Sequence, residues 1–169
     1  MVTRSPGFHG GHFVFTPKKL TNQPHQIMAN YYATARSNYF AVKDETTFRK
    51  WAESLGLEIL EPTHHNKVAD GIRRHGITPG NGDDSGGWPT SRYDEESDQC
   101  EAIDVAAQLS AHLADGEVAI LMEVGHEKLR YLSGSAVAVN HKGETAVVEL
   151  DDIYEAARVL GPKITRAEY

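Results

Sequence analysis

A chain of 169 residues, 40% hydrophobic and 24% charged, is long enough for one domain with a real core, and its composition is globular rather than disordered. It carries a net charge of −7, with all 24 acidic residues at or after Asp44, which argues against direct nucleic-acid binding and makes a protein with a basic surface the compatible partner. No apolar run reaches the roughly eighteen residues of a membrane helix, the N-terminus has no secretory h-region, and the single cysteine, Cys100, excludes an intramolecular disulfide and fits a reducing, cytoplasmic setting.

Residues 1–27 hold Pro6, Pro17 and Pro24 with Gly7, Gly10 and Gly11 and have no periodic apolar face. They read as a disordered tail or as an extension from an upstream start, with Met28 as the natural one. The single α+β domain spans 28–161, and 162–169 is a short tail. Tyr31 to Val42 alternates as a strand, with a bulge or bend at Asn38. Asp44 is a suitable N-cap. Phe48, Trp51, Ala52 and Leu55 then share one helical face, and Gly56 stands where a helix ends in a left-handed residue. Leu57 to Leu60 is a short strand. Residues 61–102 form an irregular acidic loop, broken by Pro62, Pro79 and Pro89, with one possible helical turn at 68–74. Ile103 to Ala114 is a helix with Val105, Leu109 and Leu113 on one stripe. Val118 to Val124 is so apolar that it reads as a central strand buried on both faces. Strands over 129–139 and 145–150 follow, joined by the turn at 140–143. Asp151 caps a last helix that presents Ile153, Ala156, Ala157 and Leu160 on one face, and Gly161 and Pro162 end it. The order is β-α-β-loop-α-β-β-β-α, which predicts a mainly antiparallel sheet of about five strands with helices packed on one face.

The acids are concentrated. Asp83, Asp84, Asp94, Glu95, Glu96, Asp98, Glu101 and Asp104 fall within 83–104 against the single base Arg92, a net −7 that equals the charge of the whole chain. Trp88 and Tyr93 lie in the same window. Aromatic residues concentrate binding energy at interfaces, so Asp83, Asp84, Trp88, Tyr93, Asp94, Glu95, Glu96 and Asp98 form the candidate binding set. The plainer alternatives are that Trp88 folds back to pin the loop to the core and that the acids only solvate a surface.

Signals for chemistry are weaker, and no catalytic residue, metal or cofactor is assigned. His64, His65 and His75, with Cys100, are a conceivable zinc set, but adjacent loop histidines do not readily aim at one ion. Asp83-Asp84-Ser85-Gly86-Gly87 lacks the alternate-position ligands of a calcium loop. Ser133-Gly134-Ser135 lacks a nucleophile elbow, and its glycine suits close strand packing. Glu123, in an otherwise apolar strand and near His126, is a possible acid or base. More simply, it pairs with Lys128 or Arg130 at the strand end.

Three stretches taken together resemble a family of small uncharacterised accessory proteins carried by phages, plasmids and other mobile elements. They are Asn38-Tyr39-Phe40-Ala41-Val42-Lys43-Asp44, Asp83 to Pro89, and Asp115 to Gly125 running on to Leu129-Arg130-Tyr131. The resemblance covers about residues 28–161 and supplies no catalytic motif. It implies a context, since such accessory proteins counter host restriction or CRISPR defence, some with DNA-like arrays of acids. The expectation is a non-enzymatic protein-binding module of a phage or mobile element. It would inhibit a host nucleic-acid-processing or defence complex and would require neither nucleic acid nor membrane. The alternatives are a small metal-dependent hydrolase using Glu123 and His126, or the histidine group, and a structural or regulatory oligomer that pairs an exposed strand.

Overall fold

The computed structural model describes residues 31–63, 70–80, 86–94, 98–127 and 131–167. The expected extension at 1–27, and Met28 with it, lie outside those residues. Among the described residues, eight strands in antiparallel sheets and three α-helices make an α+β fold that is mostly sheet. The strands are β1 (Tyr31–Ser37), β2 (Leu57–Leu60), β3 (Gly76–Pro79), β4 (Ser91–Asp94), β5 (Gln99–Ala102), β6 (Val118–Glu127), β7 (Tyr131–Asn140) and β8 (Thr145–Glu149). The helices are α1 (Glu45–Ser54), α2 (Val105–Ser110) and α3 (Asp152–Ala156), the last running into a 3₁₀ turn at Ala157–Leu160.

The main sheet has four strands in the order β1-β6-β7-β8, not five. β2 leaves it to pair with β3, and β4 pairs with β5. Of these, β3, β4 and β5 occupy the stretch expected to be an irregular loop. Four-residue strands flanked by proline and glycine carry too little alternation to stand out in a sequence. Residues 70–74 form no helix, and the rest of the expected helical turn lies outside the described residues.

Local signals explain the boundaries. The Asp44 carboxylate accepts from the Thr47 amide at 2.7 Å, and Asp104 does the same for Ala107 at 2.9 Å, so both helices start on a side-chain cap. Gly56 adopts φ +66 and closes α1. β1 stops at Ser37 because Asn38 takes over its neighbour's ladder. The Asn38 side-chain amide donates to the Val118 carbonyl at 3.0 Å and its oxygen accepts from the Ile120 amide at 2.8 Å. The chain then turns away. Phe40 bridges to His75 and Val42 to Leu113, instead of extending β1.

The core lies between α1, α2 and one face of the main sheet. Phe40, Phe48, Ile77, Leu109 and Leu113 are fully buried there, with Leu121 and Val139 supplied by the sheet. The Trp51 indole on α1 donates to Gln108 on α2 at 2.9 Å and ties the two helices together. β6 is not buried on both faces. Ala119 and Leu121 point into the core, whereas Val118, Ile120, Met122 and Val124 are exposed. The last helix does not bury the face expected of it either: Ile153 is exposed and Leu160 is 88% exposed. No helix of the described residues is long and apolar enough to cross a membrane.

Candidate functional site

The acidic window folds into two unlike parts. Its second half is the β4–β5 hairpin, with Ser91 paired to Ala102 and Asp94 to Gln99. Every described strand residue of the hairpin is exposed. The Ile103 amide donates to the Thr90 carbonyl at 2.9 Å and closes the base of the hairpin. The Tyr93 side chain is 60% exposed, and its hydroxyl donates to the Asp98 carboxylate at 2.6 Å. That hydrogen bond raises the Tyr93 pKa. Asp98 itself has φ +52, a left-handed conformation that aspartate tolerates better than most residues. Arg92, the one base of the window, pairs with Glu101 at 2.8 Å. The base is thereby neutralised within the hairpin, so the hairpin presents a negative surface. Cys100 is exposed on β5. Asp83, Asp84, Glu95 and Glu96 lie outside the described residues.

The other part is an anchor. Trp88 is not on the hairpin tip but half-buried, packed against the core cluster. Its backbone amide donates to Glu123 Oε2 at 2.9 Å. The two preceding glycines make this approach possible. Gly86, at φ +60, lies so close to the backbone carbonyl of Ala33 on β1 that a methyl group there would collide with it. A Cβ on Gly87 would stand 3.0 Å from Glu123 Oε2. The sequence Gly-Gly-Trp therefore reads as a close-approach device followed by an aromatic plug.

Glu123 is the hub of this anchor. Its Oε1 accepts from the Tyr31 hydroxyl at 3.0 Å, and that hydroxyl also hydrogen-bonds to Ser133 Oγ at 2.9 Å. Burial, and after it the charge of Glu123, raises the Tyr31 pKa against the opposing Ser133 hydrogen bond. Gly125 leaves room for the arrangement, since a Cβ there would lie 2.5 Å from the Tyr31 oxygen. Both carboxylate oxygens of Glu123 are thus engaged by donors from β1 and from the Trp88 segment. The arrangement suits a tether better than an acid or base, which needs an oxygen directed at a substrate. Lys128 and Arg130, the partners expected for Glu123, lie outside the described residues.

The other sites considered for chemistry come apart in the fold. Glu123 and His126 stand three residues apart on one strand, so they face opposite sides of the sheet. The Glu123 side meets the core elements, whereas the His126 ring lies 5.8 Å from the Tyr32 ring on the open side. His75 is buried at 1% exposure, with its ring against Phe48. Its Nδ1 lies 3.4 Å from Glu61 and its Nε2 3.9 Å from Glu45. Arg49 and Arg73 each pair with both of those acids, so the carboxylates already have cationic partners. His64 and His65 lie outside the described residues. Among the described residues no group of three or more His, Cys, Asp or Glu side chains is placed to hold a metal ion. Gly134 in the serine pair packs against Val124 and Leu150. A cavity of about 380 Å³ between β7 and α3 is lined by Leu132, Leu150, Ile153, Tyr154 and Arg166. Its charged groups, Arg166 and Asp151, pair with each other at 3.1 Å.

No family model, no curated protein and no solved structure matches the chain.

Proposed function

We propose that the protein is a non-enzymatic protein-binding module of a phage or other mobile element, and that the β4–β5 hairpin is its recognition surface. Its partner carries a basic surface of the kind that grips nucleic acid, and the acids of the hairpin take the place of phosphates there. One observation carries the reading: the hairpin is exposed along both strands while its N-terminal approach is anchored by Trp88 and Glu123. An acidic stretch needed only for solvation requires no such anchor. A fixed base reduces the ordering cost on binding, and the exposed Tyr93 supplies an aromatic contact of the kind that dominates interfaces.

The reading is tested with the full chain as bait in host lysate, beside a variant carrying Asp94→Asn, Glu95→Gln, Glu96→Gln and Asp98→Asn. The wild-type bait retains a basic nucleic-acid-binding complex, and the neutralised bait loses it. If both baits retain the same proteins, or neither retains any, the hairpin is not a recognition surface.

A further inference from the structure

Among the described residues, the main sheet has one covered face and one open face. Alternation along the paired strands places Tyr32, Ile120, Met122, Val124, Leu132 and Val148 on the open side. Met122 is 55% exposed, Val124 60%, Leu132 66% and Val148 51%. Contiguous apolar surface on this scale marks a binding face rather than ordinary exposed side chains. We infer that two copies of this chain pack these open faces together as a dimer, one sheet against the other.

Charge favours this occupant. The chain nets −7, yet the open face of these strands carries no carboxylate and one permanent cation, Arg36. Two copies therefore meet apolar surface to apolar surface across the strands, and Asp151, which borders Leu132, is already paired with Arg166. Area favours it too. The four strands have seven, ten, ten and five residues. At about 3.3 Å per residue and about 4.8 Å between strands they give a plan area on the order of 500 Å² per copy, or roughly 1,000 Å² for the pair before side-chain relief is counted. That reaches the roughly 1,000 Å² at which a specific interface becomes credible. Edge-to-edge pairing is the less favoured route. On the outer edge of β1, the Ala35 carbonyl accepts from Thr78 Oγ1 at 2.8 Å and Gly86 lies against the Ala33 carbonyl. The opposite edge, β8, offers five residues, and its Glu149 amide already donates to Asp152 at 2.8 Å.

The test is the mass of the full chain in solution, by light scattering after size exclusion at 10–100 µM, on the order of the concentrations used for modest dimers. The wild-type chain gives twice its 18.6 kDa. Rising salt strengthens the dimer, because it screens repulsion between the acidic bodies. Val124→Lys and Val148→Lys, on different strands, each weaken association on the order of a hundredfold or more, because a lysine is then buried against apolar surface or against its like. Far-UV circular dichroism and thermal melts establish that both variants remain folded, as expected for exposed positions. A wild-type chain that stays monomeric at 100 µM overturns the inference, whether its face is open or covered by residues 1–30. So do two folded lysine variants that remain fully dimeric.

Discussion

Glu123 shows how one residue can look catalytic in a sequence and serve as a fastener in the fold. A carboxylate within an apolar strand invites an acid–base reading, because burial and charge shift pKa values at active sites. Here its two oxygens are taken up by the Tyr31 hydroxyl and the Trp88 amide. Nothing in the sequence pairs Glu123 with residues 92 positions upstream and 35 positions upstream, so its role was not legible. Hydrogen bonds to a charged group contribute about 1.5–3 kcal/mol each, and a buried donor left without its acceptor costs a similar amount. Glu123→Ala is therefore expected to lower unfolding free energy by about 2–4 kcal/mol in urea titration. It should also shift tryptophan emission to the red as the Trp88 ring gains water. An unchanged emission maximum would show that the ring is held by packing alone.

At the scale of elements, the sequence was most informative where a local rule acts alone. Asp44 and Gly56 mark the ends of α1 by capping chemistry confined to a few residues, and the structure shows both caps, whereas Asp151, which the same rule picks out, makes no side-chain cap hydrogen bond. It was least informative between 61 and 102, where strands of four residues depend on partners rather than on pattern. Trp88 and Tyr93, five residues apart, share the candidate binding set, with a plug that pins the loop to the core as the alternative for Trp88. The fold separates them into a plug and an exposed hairpin residue, because Gly86 brings the chain against β1 and Gly87 brings it against Glu123 of β6. Gly86→Ala tests that device. It combines a left-handed backbone with a collision against the Ala33 carbonyl, and strain of this kind costs about 1–3 kcal/mol. Denaturant midpoints should fall accordingly, and Tyr93→Ala on the same scale should stay within about 0.5 kcal/mol of wild type. A Gly86→Ala protein as stable as wild type would mean that this segment does not need to approach β1 so closely.

At the scale of the molecule, charge and apolar surface are segregated. The hairpin carries exposed acids, whereas the strand residues on the open sheet face carry none. The response to acid is set elsewhere, by a half-buried histidine and by ion-paired carboxylates. His112 packs beside the Phe48 and Trp51 rings, with centroids 6.2 Å and 5.1 Å away. Burial, and then the charge of Lys43, lowers its pKa from the ordinary 6.5. Below pH 6.5 the unfolded chain therefore takes up a proton that the folded chain refuses, and stability declines as pH falls toward the lowered folded value. The carboxylates act in a lower window. The Arg49 hydrogen bond holds Glu45 below 4.5, and the Arg74 hydrogen bond holds Asp70 below 3.8. Their contributions are present above those values and are lost as pH falls through the folded ones. Urea titrations should thus show two stages, a first decline beginning near pH 6.5 and a second below about 4.5. His112→Phe keeps a ring in contact with Phe48 and Trp51 but has nothing to protonate, so it should abolish the first stage and leave the second. If the slope between pH 7 and pH 5.5 survives in His112→Phe, another group carries it, and the ring cluster is not the molecule's first point of failure in acid.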